Sequence, residues 1–211
     1  MEGCCRAGND REEIVVTQGM SSESGRLAAR SSANIASHLA VLAELDQLFR
    51  DHGVTYWLFG GWAVDFHAGR VTREHDDIDI AIWSDDRAQL ATLLHERAWI
   101  HRPDAGEDGY TCYERNEVRL EVAFLARDER GDVYTPLQDG RGEWPRDSFG
   151  DDIAHLHGVH ARVVSSKSLI ADKSIVRSDS ATAAKDRADI ATLLQLTNRS
   201  ASPLLTKGDM R

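Results

Sequence analysis

Long apolar runs are missing from this 211-residue chain. Nothing in it approaches the ~20 consecutive apolar residues that a helix needs to cross a bilayer. The N-terminus also has no apolar core of the kind a secretory signal carries. These absences predict a cytoplasmic protein with no membrane partner. Cysteine is scarce too, with only Cys4, Cys5 and Cys112. An odd count, two of them adjacent in a polar terminus, makes no disulfide framework and has no zinc-ligand spacing. Positive charge is also in short supply: 25 Lys and Arg stand against 35 Asp and Glu, a formal net charge of −10. General nucleic-acid binding needs a basic face, so no nucleic-acid partner is expected. The acidic balance suits attraction of cationic small molecules, and equally suits plain solubility.

Hydrophobic residues make up 41% and charged residues 28%, the balance of a soluble globular protein with one or two small domains. Residues 1–32 are polar, without a sustained period, and are expected to be disordered, apart from a short strand that Ile14-Val15-Val16 would allow. A helix is predicted over 33–52, with Ile35, Leu39, Leu42, Leu45, Leu48 and Phe49 in one stripe and Gly53 ending it. Strands follow at 55–59, 77–83, 99–102, 110–115, 118–125 and 158–164, with a tight turn at Asn116-Glu117. Helices are predicted at 62–67, 85–97, 166–178 and 181–197, with Asp85, Ser166 and Ser180 as caps. Residues 126–157 read as loop. The order gives an α/β (α+β) fold: a mixed sheet with flanking helices over 33–164, C-terminal helices over 165–199 and a frayed tail over 200–211.

The chemistry concentrates between Phe59 and Trp83. Strand alternation puts Asp77 and Asp79 on one face and Ile78, Ile80 and Ile82 on the other. Two carboxylates ~7 Å apart along a strand repel unless a cation sits between them, and hard oxygen ligands suit Mg²⁺. Upstream, Gly60-Gly61 follows a strand and opens a short helix. That arrangement lets backbone N–H groups approach a phosphate, although a tight turn would need glycine as well. Glu121 repeats the pattern on a second strand, with the carboxylate opposite inward-facing Leu120, Val122 and Phe124.

Taken together, Gly60-Gly61-Trp62-Ala63-Val64-Asp65, Gly69-Arg70-Val71-Thr72-Arg73 and His75-Asp76-Asp77-Ile78-Asp79 resemble nucleotidyltransferases of the DNA polymerase β-like superfamily. Within it the pattern is similar to the aminoglycoside 2''-nucleotidyltransferases and the lincosamide nucleotidyltransferases. The likeness is dense over about twenty residues, extends from about 33 to 125, and weakens over the C-terminal third. It implies two Mg²⁺ ions, ATP or another nucleoside triphosphate as donor, and transfer of a nucleoside monophosphate to a hydroxyl of a small-molecule antibiotic. An aminoglycoside is the first expectation and a lincosamide the second. By the same resemblance Asp77 and Asp79 hold the metals, Glu121 shares a metal or accepts the proton of the attacking hydroxyl, and Gly60 and Gly61 hold the triphosphate.

Other assignments are looser. Arg70 and Arg73 suit phosphate contact or a solvated loop. Among Lys167, Lys173 and Lys185, Lys173 is the first candidate to reach the triphosphate, because Leu169, Ile170 and Val176 anchor its helix. Lys185-Asp186-Arg187-Ala188-Asp189 resembles a charged segment on late helices of related enzymes. His75, Asp65 and Asp76 read as structural, and Trp62 as core. Tyr110, Tyr113, Trp144, Asp104, Glu107, Asp108, Asp151 and Asp152 are candidates to line an acceptor cleft. Two rival readings are nucleotide transfer to a protein or an RNA end, and a nucleotidyltransferase-like partner in a toxin–antitoxin pair.

Overall fold

A computed structural model of the chain describes residues 13–103 and 109–201, with side chains described from 30 to 198 within that span. Helix α1 runs Glu13–His52, strand β1 Tyr56–Phe59, helix α2 Gly60–Ala68 and strand β2 Asp77–Trp83. A 3-10 turn over Ser84–Asp86 leads into α3, Arg87–Glu96. Strands β3 (Ile100–His101), β4 (Tyr110–Arg115), β5 (Val118–Arg127), β6 (Val133–Leu137) and β7 (Gly140–Glu143) follow. A separate hairpin is formed by β8, Ile153–Leu156, and β9, Val159–Arg162. Helices α4, Ser166–Lys173, and α5, Ser180–Ala201, close the order. Among the described residues no helix is long and apolar enough to cross a membrane.

The main sheet has seven strands in the order β1-β2-β5-β4-β3, with β6 pairing the end of β5 and β7 pairing β6. β2 and β5 lie parallel, while β1–β2, β4–β5 and β3–β4 are antiparallel. The sheet is therefore mixed, as expected for an α+β architecture. Alternation sorts the side chains as the sequence predicts: Ile78, Ile80, Ile82, Leu120 and Val122 are fully buried on one face. α1 contributes Leu42, Leu45, Leu48 and Phe49 to the same core cluster, and α3 contributes Leu90, Leu93 and Leu94. The β4–β5 turn is the predicted Asn116-Glu117, with φ of +50° and +66°, the left-handed pair that a two-residue hairpin turn demands.

Several boundaries differ from the sequence reading. α1 begins at Glu13, so the segment expected to be disordered continues the helix from that point and Ile14–Val16 are helical. Leu27-Ala28-Ala29-Arg30 is a run of strong helix formers that favours this continuation. Residues 1–12 and 202–211 lie outside the described residues. Three strands, β6, β7 and β8, occupy the region read as loop. β7 is Gly140-Arg141-Gly142-Glu143, with no apolar residue to betray it, and it is a strand only because β6 supplies its partners. α4 stops at Lys173, and its cap is Ser165, which accepts the Ser168 N–H at 3.3 Å. For α5, the Asp179 carboxylate accepts the Thr182 N–H at 2.6 Å, a stronger acceptor than the predicted Ser180 hydroxyl. Asp85 falls inside the 3-10 turn, and α3 has no side-chain cap.

Candidate active site

The parallel register of β2 and β5 sets Asp79 opposite Glu121 and Asp77 opposite Arg119. Side chains on directly paired residues share a face. Asp77, Asp79 and Glu121 therefore converge, and their ligand oxygens all lie within 4.8 Å of one another. The Arg119 Nε donates to Glu121 Oε1 at 2.8 Å, which offsets part of one charge. Asp79 is pushed well above the usual carboxylate range by burial first, then by the Asp77 and Glu121 charges. Asp77 is raised as well, again by burial first and then by Glu121. Three crowded acids made uncomfortable by one another form a donor set of hard oxygens. That set fits a small divalent cation such as Mg²⁺.

The glycine pair sits directly against these acids. Gly60 opens α2 with φ of +65°, a left-handed conformation that β-carbon-bearing residues rarely adopt. A Cβ there would overlap the Asp79 carboxylate, so glycine both permits the turn and leaves room for the acid. At Gly61 a Cβ would overlap the His75 ring and come within 2.6 Å of an Arg73 guanidinium nitrogen. The N-cap of α2, Phe59, offers no side-chain hydrogen bond, so the first-turn N–H groups have no side-chain cap. An uncapped helix start beside a cation is suited to an anion.

Behind the turn a buried polar set holds the backbone. His75 Nε2 lies 2.6 Å from Asp65 Oδ2, and both residues are nearly inaccessible to solvent. Asp65 Oδ1 also accepts the Thr72 backbone N–H at 3.0 Å and the Thr72 hydroxyl. The Trp62 ring packs against His75 at 4.6 Å, and its Nε1 donates to His38 Nδ1 at 3.0 Å. Asp65, His75 and Trp62 thus have the structural and core roles read from the sequence. Burial, followed by the nearby His75, lowers the His38 pKa.

Arg73 and Lys173, both predicted to meet phosphate, are brought together by a residue the sequence reading did not single out. Asp189 on α5 accepts Arg73 Nε at 3.1 Å, Arg73 Nη2 at 2.9 Å and Lys173 Nζ at 2.9 Å. Lys173 also lies 3.3 Å from Asp186 Oδ1. Burial alone would raise the Asp189 pKa, but the hydrogen bonds from Arg73 and Lys173 outweigh it and hold the group low. The available signal was periodicity: Asp186, Asp189 and Leu193 fall on one stripe of α5, and all three are buried. Lys185 pairs with Asp76 and Lys167 with Asp147. Arg70 is exposed.

A cavity of about 460 Å³ opens where β1, β4, β7 and α4 meet; none of the three carboxylates lines it, and Phe59 links it to them. Its wall includes Phe59, which pairs with Asp79 across β1–β2, together with Tyr110, Trp144 and Asp172. Phe59 and Trp144 meet edge to face at 5.7 Å, and Trp144 Nε1 donates to Thr135 Oγ1 at 3.0 Å, which fixes the indole. Two acids on the wall already have partners: Glu143 with Arg141 at 2.6 Å and Asp172 with Arg177 at 3.3 Å. Tyr113 does not join the wall. It stands opposite Leu120 on the core face of the sheet, because alternation along β4 points it away from Tyr110. Asp151 and Asp152 are exposed and absent from the wall, while Asp104, Glu107 and Asp108 lie outside the described residues.

Comparison with known proteins fits this geometry. A 2''-aminoglycoside nucleotidyltransferase of Escherichia coli is 39% identical over 54 residues, 26% of this chain and 28% of that protein. A lincosamide resistance protein of Staphylococcus haemolyticus is 61% identical over 33 residues, 16% of this chain and 20% of that protein. The chain thus spans under a third of the length of the curated relatives it matches. The fold is shared with the lincosamide antibiotic adenylyltransferase LnuA in its lincomycin-bound structure, at a TM-score of 0.60 and 21% identity over 72% of this chain and 94% of that one. It is shared also with ANT(2'')-Ia in complex with adenylyl-2''-tobramycin, at a TM-score of 0.57 and 18% identity over 78% of this chain and 99% of that one. The family model described as aminoglycoside-2''-adenylyltransferase matches residues 41–193, from the middle of α1 through Asp189 and Leu193, and the chain belongs to that family.

Proposed function

We propose that the chain transfers a nucleoside monophosphate, AMP from ATP in the first instance, to a hydroxyl of a small cationic antibiotic, with pyrophosphate as the second product. The observation that carries this reading is the convergence of Asp77, Asp79 and Glu121 beside the Gly60-Gly61 turn. In the reaction the acceptor oxygen forms a bond to the α-phosphorus and the bond to the bridging oxygen of pyrophosphate breaks. The acceptor's proton passes to a carboxylate, and Glu121, with 38% side-chain exposure, is the residue for it. Asp77, Asp79 and Glu121 are the ligands for Mg²⁺, which when bound supplies positive charge to the α-phosphate and the leaving group. The first turn of α2, with Arg73, receives the phosphates. The cavity walled by Phe59, Tyr110 and Trp144 receives the acceptor. Because the donor is a nucleoside triphosphate, we place the reaction in the cytoplasm.

Family membership supports an aminoglycoside as the first acceptor to test. The aromatic wall, whose acids Glu143 and Asp172 are already paired with arginines, favours a lincosamide as the second, since that acceptor brings fewer positive charges and more apolar surface. The test is incubation of the protein with ATP, Mg²⁺ and each of a panel of aminoglycosides and lincosamides, followed by mass spectrometry. An added AMP on one class is expected. No adduct on any member, with ATP intact, would overturn the proposal.

A further inference from the structure

Arg73 stands at an electrostatically unfavourable place. Its guanidinium lies against the first turn of α2, where the helix dipole already presents positive charge. A cation there is stable only with an anion beside it, and Asp189 provides that anion from α5, 116 residues along the chain. The arrangement is a two-point fork, Nε to Oδ1 at 3.1 Å and Nη2 to Oδ2 at 2.9 Å, which fixes the plane of the guanidinium as a single contact would not. The same Oδ2 takes Lys173 Nζ at 2.9 Å, so one carboxylate gathers cations from the loop before β2 and from the end of α4. Asp189 is only 2% exposed and cannot itself offer much surface to a ligand, whereas the Arg73 side chain is 24% exposed. Arg73 Nη1 is engaged by the Glu74 carbonyl at 3.0 Å. A guanidinium has five N–H donors, and the three bonds named leave others for an incoming oxygen. The charge of Lys173 also reaches Asp79, on which it acts to lower the pKa.

We propose that Asp189 is a positioning residue for the donor's phosphates: braced by the buried Lys173, it holds Arg73 against the start of α2 so that the guanidinium meets the β- and γ-phosphates of a nucleoside triphosphate, without touching the nucleotide itself. This rests on the nucleotidyltransferase reading above. A purely structural role, pinning α5 to the domain, would weaken every ligand alike and lower thermal stability. A positioning role weakens triphosphate selectively, because AMP lacks the two groups concerned.

The experiment titrates wild type and Asp189→Asn, with Mg²⁺ present, with a non-hydrolysable ATP analogue and separately with AMP, by calorimetry. Asp189→Asn keeps shape and one acceptor but removes the charge that aligns both cations. The expected result is a loss of analogue affinity on the order of tenfold, the size of one charge-assisted contact, with AMP affinity changed by less than about twofold. Where circular dichroism finds Asp189→Asn unfolded, Arg73→Lys decides. It keeps the charge and loses the fork, and the same triphosphate-selective loss is expected. Equal losses for the two ligands, or no loss, would overturn the inference. A wild type that binds AMP and the analogue identically overturns it as well. A wild type that binds no triphosphate removes the proposed function together with it, so the two failures are distinguishable.

Discussion

Replacing Asp79 with Asn should make the metal-free protein more stable while removing its activity. Asp79 is half-buried beside Asp77 and Glu121, all with ligand oxygens within 4.8 Å. Two unit charges 4.8 Å apart in a medium of effective dielectric constant ~20 repel by about 3.5 kcal/mol. Glu121 is partly offset by Arg119 at 2.8 Å, so Asp77 is the main opponent. Burial first, and then these same charges, push the Asp79 pKa up, so a proton on the cluster is easier to hold than on a free carboxylate. The net relief is therefore smaller, about 1–3 kcal/mol. For a chain of this size that corresponds to a rise in Tm of about 3–8 °C in EDTA at about pH 8. Mg²⁺ at millimolar concentration should raise the Tm of wild type, by neutralising the same repulsion, and should have little effect on the variant. Nucleotide transfer should fall at least ~10³-fold, because the acids then fail to hold the charge that stabilises the transition state. Thermal melts of both proteins with and without Mg²⁺ give the answer directly. A lower Tm for Asp79→Asn in EDTA, with the Mg²⁺ response intact, would refute the assignment of this cluster as a cation site.

Other expectations follow from the same geometry. Gly60→Ala adds a Cβ that overlaps the Asp79 carboxylate at a left-handed position, so Asp79 must move; transfer should drop about 100-fold, the cost of an ångström-scale misplacement, and the Mg²⁺ shift in Tm should shrink. Trp144→Ala removes one side of the cavity beside Phe59, and the KM for the acceptor should rise about tenfold with the KM for ATP unchanged, read from steady-state kinetics. Glu44 receives two bonds from Arg115, at 2.9 and 2.6 Å, and ties α1 to β4; its hydrogen bond to Arg115 holds its pKa below the usual value. A depressed carboxylate contributes stability above its unfolded pKa and loses it as pH falls through the folded one. Glu44→Gln should therefore cost about 1 kcal/mol at neutral pH, discounted for the partial exposure of the pair, and the difference from wild type should shrink as pH falls below the ordinary glutamate range and vanish at acid pH once the folded-state carboxyl is protonated. Equal Tm differences at both pH values would show that the pair acts through packing instead of charge.

Where the chain advertises its structure, it does so through local alternation. Asp77–Trp83 and Tyr110–Arg115 have the predicted ends: the first opens on alternating acid and isoleucine, and the second is bounded by Gly109 and the Asn116-Glu117 turn. The carboxylate trio was legible for the same reason: each acid sits on a strand whose other face is aliphatic. The region after Leu125 was not legible. β7 carries glycine, arginine and glutamate and exists through its pairing with β6, a long-range decision that no window of sequence contains. Tyr110 and Tyr113 looked alike as pocket candidates, yet a strand turns residues three apart to opposite faces, and only Tyr110 reaches the cavity.

The sequence by itself determined on which side of each strand the candidate acids stand, because side-chain direction along a strand is a property of the backbone. Gly60 and Gly61 are likewise intelligible in sequence as a pair, although the reason each is indispensable, the Asp79 carboxylate beside one and the His75 ring and Arg73 fork beside the other, is tertiary. What only the tertiary structure decided is how the cations are held. Arg73 and Lys173 belong to separate elements, and each has a flexible stem that reaches many places. Their common position follows from α5 packing beside α2 and α4, which brings the buried Asp189 carboxylate between them. The period of α5 marks Asp186, Asp189 and Leu193 as one buried face, but which cations that face meets, Arg73 among them 116 residues away, is set by how the helices dock.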